Sequence, residues 1–302
     1  MVFSNGRRSC ARSIGRIPRI ATERLGFIGA GRVGNGLALA LGRCGYPITG
    51  VASRARGDSQ RVVDGSEIVF LTVPDDAIGA VCRQLAWRKG QSAVHCAGAT
   101  EISVLQPAAD AGAMIGGFHP LVMFADPEVA ARSIPGAAIG IEANEPLASS
   151  LRRIVSALGA RELTIPPGAR AAYHGAAHFA AGFVGALVAE GVEIWSRIGI
   201  PADDATHALL GLLRGATDAM AHSGIARAMA GSIARGDVDN VRRHLRALDE
   251  LGGDYRALYC TLALRSLPIV LNANRITPAR ATELRMLLET SASGPASAPR
   301  DR

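Results

Sequence analysis

Lysine is almost missing from this chain. Of its 33 basic residues only Lys89 is a lysine, and the other 32 are arginines. Chemistry that moves a proton through a lysine, or forms a Schiff base on one, has a single residue to draw on, because an arginine stays protonated. Aromatic residues are also scarce, at 4% of the chain. That argues against single-stranded nucleic acid as a partner, since bases stack on aromatic platforms. The five cysteines (Cys10, Cys44, Cys82, Cys96, Cys260) form no C-x-x-C pair. Their odd number and wide spacing predict a reducing, cytoplasmic setting and no disulfide framework. No apolar run is expected to span a membrane. The best candidate, Phe179–Ala189, is uncharged but short, is followed by Glu190 and Glu193, and reads as a buried helix.

What the chain does hold is positive charge, +7 overall. Its placement removes the nucleic-acid reading that such a balance invites. Residues 1–24 carry six arginines against Glu23, a net +5, and residues 290–302 carry a further +1, which leaves +1 for residues 25–289. A phosphate-backbone footprint belongs on the fold, and here the body is nearly neutral. The leader, residues 1–24, reads as a disordered basic extension. Its Arg/Ser-rich composition is shared with organelle transit peptides, and Arg7-Arg8 with a twin-arginine signal, but Arg12, Arg16 and Arg19 interrupt any apolar region behind it. Residues 291–302, rich in Ser, Ala and Pro, read as a disordered tail.

Between the ends, short apolar strands alternate with helices. Strands are expected at Leu25–Gly29, Ile48–Ala52, Ile68–Val73, Ser92–Ala97, Ala113–Phe118, Ala137–Ile141 and Leu163–Ile165. Helices are expected at Arg32–Cys44, Ala77–Leu85 and Pro146–Leu158. That alternation predicts an α/β fold with a parallel sheet over residues 25–165. After Pro166-Pro167-Gly168 only helices are legible, giving an all-helical domain over residues 166–290. The first would run over Ala169–Arg197, about 43 Å long, with small residues Ala177, Ala181, Gly185 and Ala189 every fourth position. Others are expected at Asp203–Ala221, Val238–Leu251 (with Asp237 as N-cap), Tyr255–Ala273 and Pro278–Leu288.

The strongest motif is Gly29-Ala30-Gly31-Arg32-Val33-Gly34, a G-x-G-x-x-G string between a strand and a helix. In that setting Gly29 permits the tight turn, Gly31 lets a pyrophosphate reach the backbone N–H groups, and Gly34 lets helix and strand pack closely. The helix N-terminus then faces the phosphates. At the end of the second strand, where NAD-binding folds carry an acid for the ribose hydroxyls, the chain reads Ala52-Ser53-Arg54. Ser53 and Arg54 suit a 2′-phosphate, at about 1.5–3 kcal/mol per charge-assisted hydrogen bond. The expected cofactor is therefore NADP.

With the cradle stand Leu71-Thr72-Val73-Pro74-Asp75-Asp76, His95-Cys96-Ala97-Gly98-Ala99, Gly117-Phe118-His119-Pro120-Leu121, Tyr173-His174-Gly175-Ala176-Ala177 and Gly231-Ser232-Ile233-Ala234-Arg235-Gly236-Asp237. In this combination, over residues 25–290, the chain resembles a bacterial family that joins an NADP-binding Rossmann domain to a helical C-terminal domain of unknown function. The wider superfamily, with C-terminal domains like that of 6-phosphogluconate dehydrogenase, includes β-hydroxyacid dehydrogenases and ketopantoate, pyrroline-carboxylate and prephenate enzymes. The resemblance implies hydride transfer in a cleft between the domains, with Val73, Pro74 and Gly98 at the cofactor. Two departures stand out. Arg170 occupies the place of the lysine that β-hydroxyacid enzymes use, where it could anchor a carboxylate or polarise a carbonyl but not shuttle a proton. Only residues 54–66 separate Ser53 from the next strand, which shortens the helix there.

His119 is the first candidate for acid–base work. It follows a strand, resembles the catalytic histidine segment of prephenate dehydrogenases, and belongs to the residue type that titrates near neutrality. Tyr173 and His174, early in the long helix, are the next: either could position a carboxylate or share the proton. His174 and His178 have a metal-ligand spacing, but no Glu lies between them and no third ligand is evident, so no metal is expected. Cys96 lies beside His95, yet adjacent strand residues face opposite ways. Ser232, Arg235 and Asp237 either face the cleft or cap a helix. The resulting expectation is an NADP(H)-dependent oxidoreductase for a small carboxylate-bearing carbonyl, hydroxy or imine compound, for example a ketopantoate-like one. The alternative is a catalytically reduced NADP(H)-binding regulator. The long helix and its small-residue stripe also predict a homodimer.

Overall fold

The computed structural model describes residues 23–53 and 59–292. The expected disordered ends and Arg54 lie outside the described residues, apart from Glu23, Arg24, Ser291 and Ala292. The chain divides into two compact units, Met1–His178 and Phe179–Arg302.

The first unit is a seven-stranded sheet. Its strands are β1 (Leu25–Ile28), β2 (Ile48–Ala52), β3 (Ile68–Leu71), β4 (Ser92–His95), β5 (Met114–Pro120), β6 (Ala138–Ala143) and β7 (Arg161–Thr164), in the order β2-β1-β3-β4-β5-β6-β7. Every residue of β1, β3 and β4 is buried, as strands covered on both faces must be. Their side chains alternate between two cores. Leu25, Phe27, Ile68, Phe70 and Val94 pack under α1 (Arg32–Arg43) and α6 (Leu147–Ala157). Ile28, Val69, Leu71 and Ala93 pack under α2 (Ser59–Gly65), α3 (Ile78–Gln84) and α4 (Gln106–Asp110). Few aromatics exist, but three are spent in one row: Phe27 stacks on Phe70, which meets Phe118 edge-on.

The expectation of a parallel sheet needs one correction. β6 runs antiparallel to β5. Between them lies only the short α5 (Pro127–Ser133), capped by Asp126 and packed on α1. Without a helix long enough to recross the sheet, the chain re-enters from the end it left.

The helix expected over Ala169–Arg197 is two helices, α7 (Arg170–Ala180) and α8 (Gly182–Arg197), broken at Ala181 (φ −119°, ψ −76°). The remaining helices are α9 (Ala202–Ser223), α10 (Ile225–Ala228), α11 (Gly231–Arg235), α12 (Val238–Leu251), α13 (Tyr255–Asn272) and α14 (Pro278–Ala292). In the second unit, α11 to α14 enclose an apolar core that includes Val241, Cys260, Leu267 and Leu284. Asp237 caps α12 by accepting the Asn240 N–H at 3.1 Å, as expected. Ser232 is buried and accepts from the Asn240 amide, whereas Arg235 is exposed. The stretch Phe179–Ala189, expected to be buried, is not: no residue of α8 is buried, and α8 pairs with α9. Residues 170–197 are long and apolar enough to cross a membrane by length and composition alone.

Candidate functional site

The glycine turn is built as its motif demands. Gly29 sits at φ +123°, and a Cβ there would lie 2.6 Å from the Thr72 backbone. A Cβ on Gly34 would lie 2.0 Å from the Gly29 carbonyl oxygen, which also accepts from the Thr72 hydroxyl at 2.7 Å. Gly31 is different in kind, because a Cβ there would meet nothing within 4 Å. It borders open space, and as the N-cap of α1 it offers no side-chain partner to the first-turn N–H groups. Those donors and that space suit a phosphate. Gly29, Ala30, Gly31, Ser53, Val73 and Pro74 all line one groove of about 600 Å³. Of the other expected cofactor residues, Gly34 and Val33 support the turn from behind and Arg32 is exposed at the start of α1.

Gly98 belongs elsewhere. A Cβ on it would lie 2.2 Å from Cδ2 of His174 and 2.9 Å from Nε2 of His119. It makes room for two imidazoles and is not among the residues that line the nucleotide groove. The same device recurs twice. A Cβ on Gly140 would lie 2.7 Å from the Tyr173 hydroxyl, and one on Gly117 would lie 1.7 Å from Nη2 of Arg170. Three residues of α7 thus enter three places where the sheet unit lacks a side chain.

The result is a compact cluster at the carboxyl end of β5. His119 Nδ1 and the Tyr173 hydroxyl are 2.9 Å apart. When Nδ1 is unprotonated, the hydroxyl donates to it and Nε2 carries the ring proton. His119 and His174 meet edge-on with ring centres 5.6 Å apart, and His174 and His178 at 5.4 Å. The acid strength of His119 departs from expectation. Burial, then the neighbouring His174 and Arg170, pull its pKa down to about 4, so at neutral pH the ring is neutral. Burial pushes the Tyr173 hydroxyl up, partly opposed by Arg170. Burial also raises the Cys96 thiol, which keeps it from being a thiolate. Among the described residues no group of three or more His, Cys, Asp or Glu is placed to hold a metal.

Arg170 is not where a substrate anchor would be. It is 0% exposed. Its Nε donates to Glu142 Oε2 at 2.5 Å and its Nη1 to the Ala97 carbonyl at 2.8 Å. The carboxylate-anchoring role expected for it gives way to a buried ion pair. Neither Glu142 nor Glu101, whose carboxylate accepts from the N–H groups of Gly168 and Arg170, was expected from the sequence. A signal existed: an acid inside the apolar strand Ala-Ile-Gly-Ile-Glu-Ala needs a buried partner.

Comparison with known proteins agrees with this architecture. Residues 15–120 match the family model of a Rossmann-like domain, and residues 137–266 match that of a domain of unknown function, DUF2520. The chain thus joins a Rossmann-like domain to a DUF2520 domain. No curated protein sequence matches it. Among solved structures it is similar to protein TM1727 from Thermotoga maritima, at 21% identity and TM-score 0.68, over 83% of this chain and 99% of that one. It is similar to 1-pyrroline-5-carboxylate reductase from Streptococcus pyogenes, at 12% identity and TM-score 0.56, over 90% and 99%. It is also similar to the pyrroline carboxylate reductase of Plasmodium falciparum with NADP bound, at 11% identity and TM-score 0.54, over 91% and 100%. At these identities the likeness is one of fold.

Proposed function

We propose that the chain is an NADP(H)-dependent oxidoreductase acting on a small carbonyl or imine compound that carries a carboxylate, or on its reduced form. The observation that carries this reading is the pairing of two sites along one sheet edge. The glycine turn follows β1, and His119 stands three strands away at the end of β5, a separation of about 14 Å. An extended dinucleotide lying along the carboxyl ends of such a sheet passes over both. NADP is favoured over NAD because Ser53 lines the groove where an acid would hold the ribose, and Arg54 follows it in sequence. A reductase of similar fold binds NADP.

The bound cofactor would supply the hydride, and the chain's residues supply the proton. With Nδ1 of His119 accepting from the Tyr173 hydroxyl, Nε2–H donates to the substrate oxygen or nitrogen as negative charge develops there. The phenol proton then passes to Nδ1, the Arg170 charge favouring the phenolate left behind until solvent returns its proton. A neutral imidazole can do this as half of a pair, which reconciles its low pKa with the role. His174, whose ring meets that of His119, would orient the substrate.

A homodimer belongs to the same reading. α8 has no buried residue, and Phe183 (48%), Leu187 (41%) and, on α9, Leu212 (70%) are exposed. So much apolar surface on adjacent helices is what a second copy covers.

Loss of NADPH absorbance, screened against 2-oxo acids (a ketopantoate-like one first), imino acids and semialdehydes, tests the activity. Turnover that disappears in His119→Ala while NADPH still binds is the expected result. NADPH binding with no turnover on any of them would favour the regulatory reading.

A further inference from the structure

The sheet carries a row of three facing positions that no proton-transfer step uses. His95 on β4 pairs in register with Gly117 on β5, which pairs with Glu142 on β6. Laterally paired residues share a face, so the three form one line across the sheet. The middle position has no side chain, and the Arg170 guanidinium lies in its place. On one side Glu142, 7% exposed, receives Nε, and two residues past β4 the Ala97 carbonyl receives Nη1. On the other side lies His95, fully buried. Neither of its ring nitrogens has a hydrogen-bond partner among the described residues, and neither does Nη2 of Arg170.

The backbone of the same residue is held as well. Glu101 accepts from the Arg170 N–H at 3.2 Å and from the Gly168 N–H at 3.3 Å. Residue 170 is therefore fixed at both its N–H and its guanidinium, which sets the depth and the rotation of the first turn of α7. Tyr173 and His174 are three and four residues further on, on the same face of that helix. Their placement against Gly140 and Gly98 leaves little tolerance, as the short Cβ distances show.

We propose that Arg170 is a positioning residue: seated on Gly117 and tied to Glu142 and Ala97, it sets α7 so that the Tyr173 hydroxyl meets His119 Nδ1. The planar fork is what the seat requires, since Nε and Nη1 point to two different acceptors. A lysine at this position would keep the charge but present one nitrogen. The place held by a proton-shuttling lysine in related enzymes is thus used here to hold the acid–base pair from behind. The geometric proposal stands on its own, and its catalytic meaning rests on the proposed reading of His119 and Tyr173.

The test uses the full chain with 15N-labelled histidine and reads the His119 ring by NMR, assigned through His119→Gln. Tyr173→Phe defines the Nδ1 shift without the hydrogen bond. Arg170→Lys and Arg170→Met should both move the His119 Nδ1 shift to that value and raise the pH at which the ring titrates. NADPH affinity, read by fluorescence, should change less than twofold. With a substrate in hand, kcat should fall about 100-fold, the effect of a misplacement of roughly 1 Å, with KM little changed. Restoration of the wild-type His119 signals by lysine would overturn the proposal, since charge alone would then suffice. Unmoved signals in both variants would overturn it too. Should these variants fail to fold, Glu142→Gln keeps the size of the partner, and it should shift the same His119 signals in the same direction. Unmoved signals there would count against it equally. Because these readouts need no turnover, an inactive but shifted protein separates failure of the enzyme reading from failure of the positioning role.

Discussion

Replacing His95 with leucine should make the protein less sensitive to acid. His95 is fully buried in the middle of the sheet, and burial, then the charges of Arg170 and His119, pull its pKa down from the usual 6.5 to about 3. A ring that is neutral when folded and free to charge when unfolded contributes stability that is complete above pH 6.5. That contribution is lost as pH falls from 6.5 toward 3, because the unfolded chain takes up a proton that the folded one refuses. Between pH 7 and pH 5 the loss from this one group comes to about 2 kcal/mol. Leucine fills a similar volume, cannot titrate, and removes two buried nitrogens without partners, each of which costs about 1–3 kcal/mol. Urea unfolding at pH 7 and pH 5, in wild type and His95→Leu, isolates the effect. All other titrating groups, His119 included, cancel in the difference of differences. The wild type should lose about 2 kcal/mol more than the variant on this acidification, and the variant should be the more stable of the two at pH 5. An equal loss in both proteins would show that His95 finds a proton-accepting environment in the fold and would refute the reasoning.

Other expectations follow from the same geometry. Gly34→Ala drives a methyl group against the Gly29 carbonyl oxygen; it should cost about 1–3 kcal/mol by thermal unfolding and weaken NADPH binding in a fluorescence titration. A Ser53→Asp, Arg54→Ala double variant should turn preference from NADPH toward NADH by tenfold or more in kcat/KM, and unchanged selectivity would remove the basis for choosing NADP. Leu187→Glu on α8 should shift sedimentation from dimer to monomer with the far-ultraviolet circular dichroism unchanged; a monomeric wild type would contradict the dimer reading.

The parts of the fold that the sequence foretold are those set by local pattern. β2 and α12 occupy the residues expected for them, and β1, β3 and β4 differ only where the chain leaves the sheet. Uninterrupted β-branched runs and an Asp cap carry that information within a few residues. The direction of β6 did not show, because it depends on what the connection between β5 and β6 packs against, and α5 is a short segment whose apolar residues resemble a loop's. The burial of Phe179–Ala189 was misjudged for a related reason. An apolar, uncharged helix signals that something covers it, and nothing in the pattern says whether the cover is its own chain or another.

The site was legible by residue type and not by arrangement. His119, Tyr173 and His174 were each picked out, and they do converge, but what brings them together is a set of missing side chains. A glycine inside a strand marks a close approach without naming the visitor. Gly117, Gly140 and Gly98 are equally plausible as bulges, turns or cofactor contacts until α7 is laid against them. Gly98 illustrates the cost: its place after β4 suits a nucleotide, and the sequence does not show that a Cβ there would lie 2.2 Å from the His174 ring. Arg170 is the sharper case. Read along the chain it is a charged residue at the start of a helix, which most often means solvent. The isolated acid Glu142, buried in an apolar strand, is the one feature that required a cation opposite it, and a chain with a single lysine had to meet that need with an arginine. Once a guanidinium fills the seat, its fork has two fixed acceptors and cannot turn toward a ligand. An arginine here closes a lysine route to the proton, and the same face of α7 carries a tyrosine and a histidine three and four residues on.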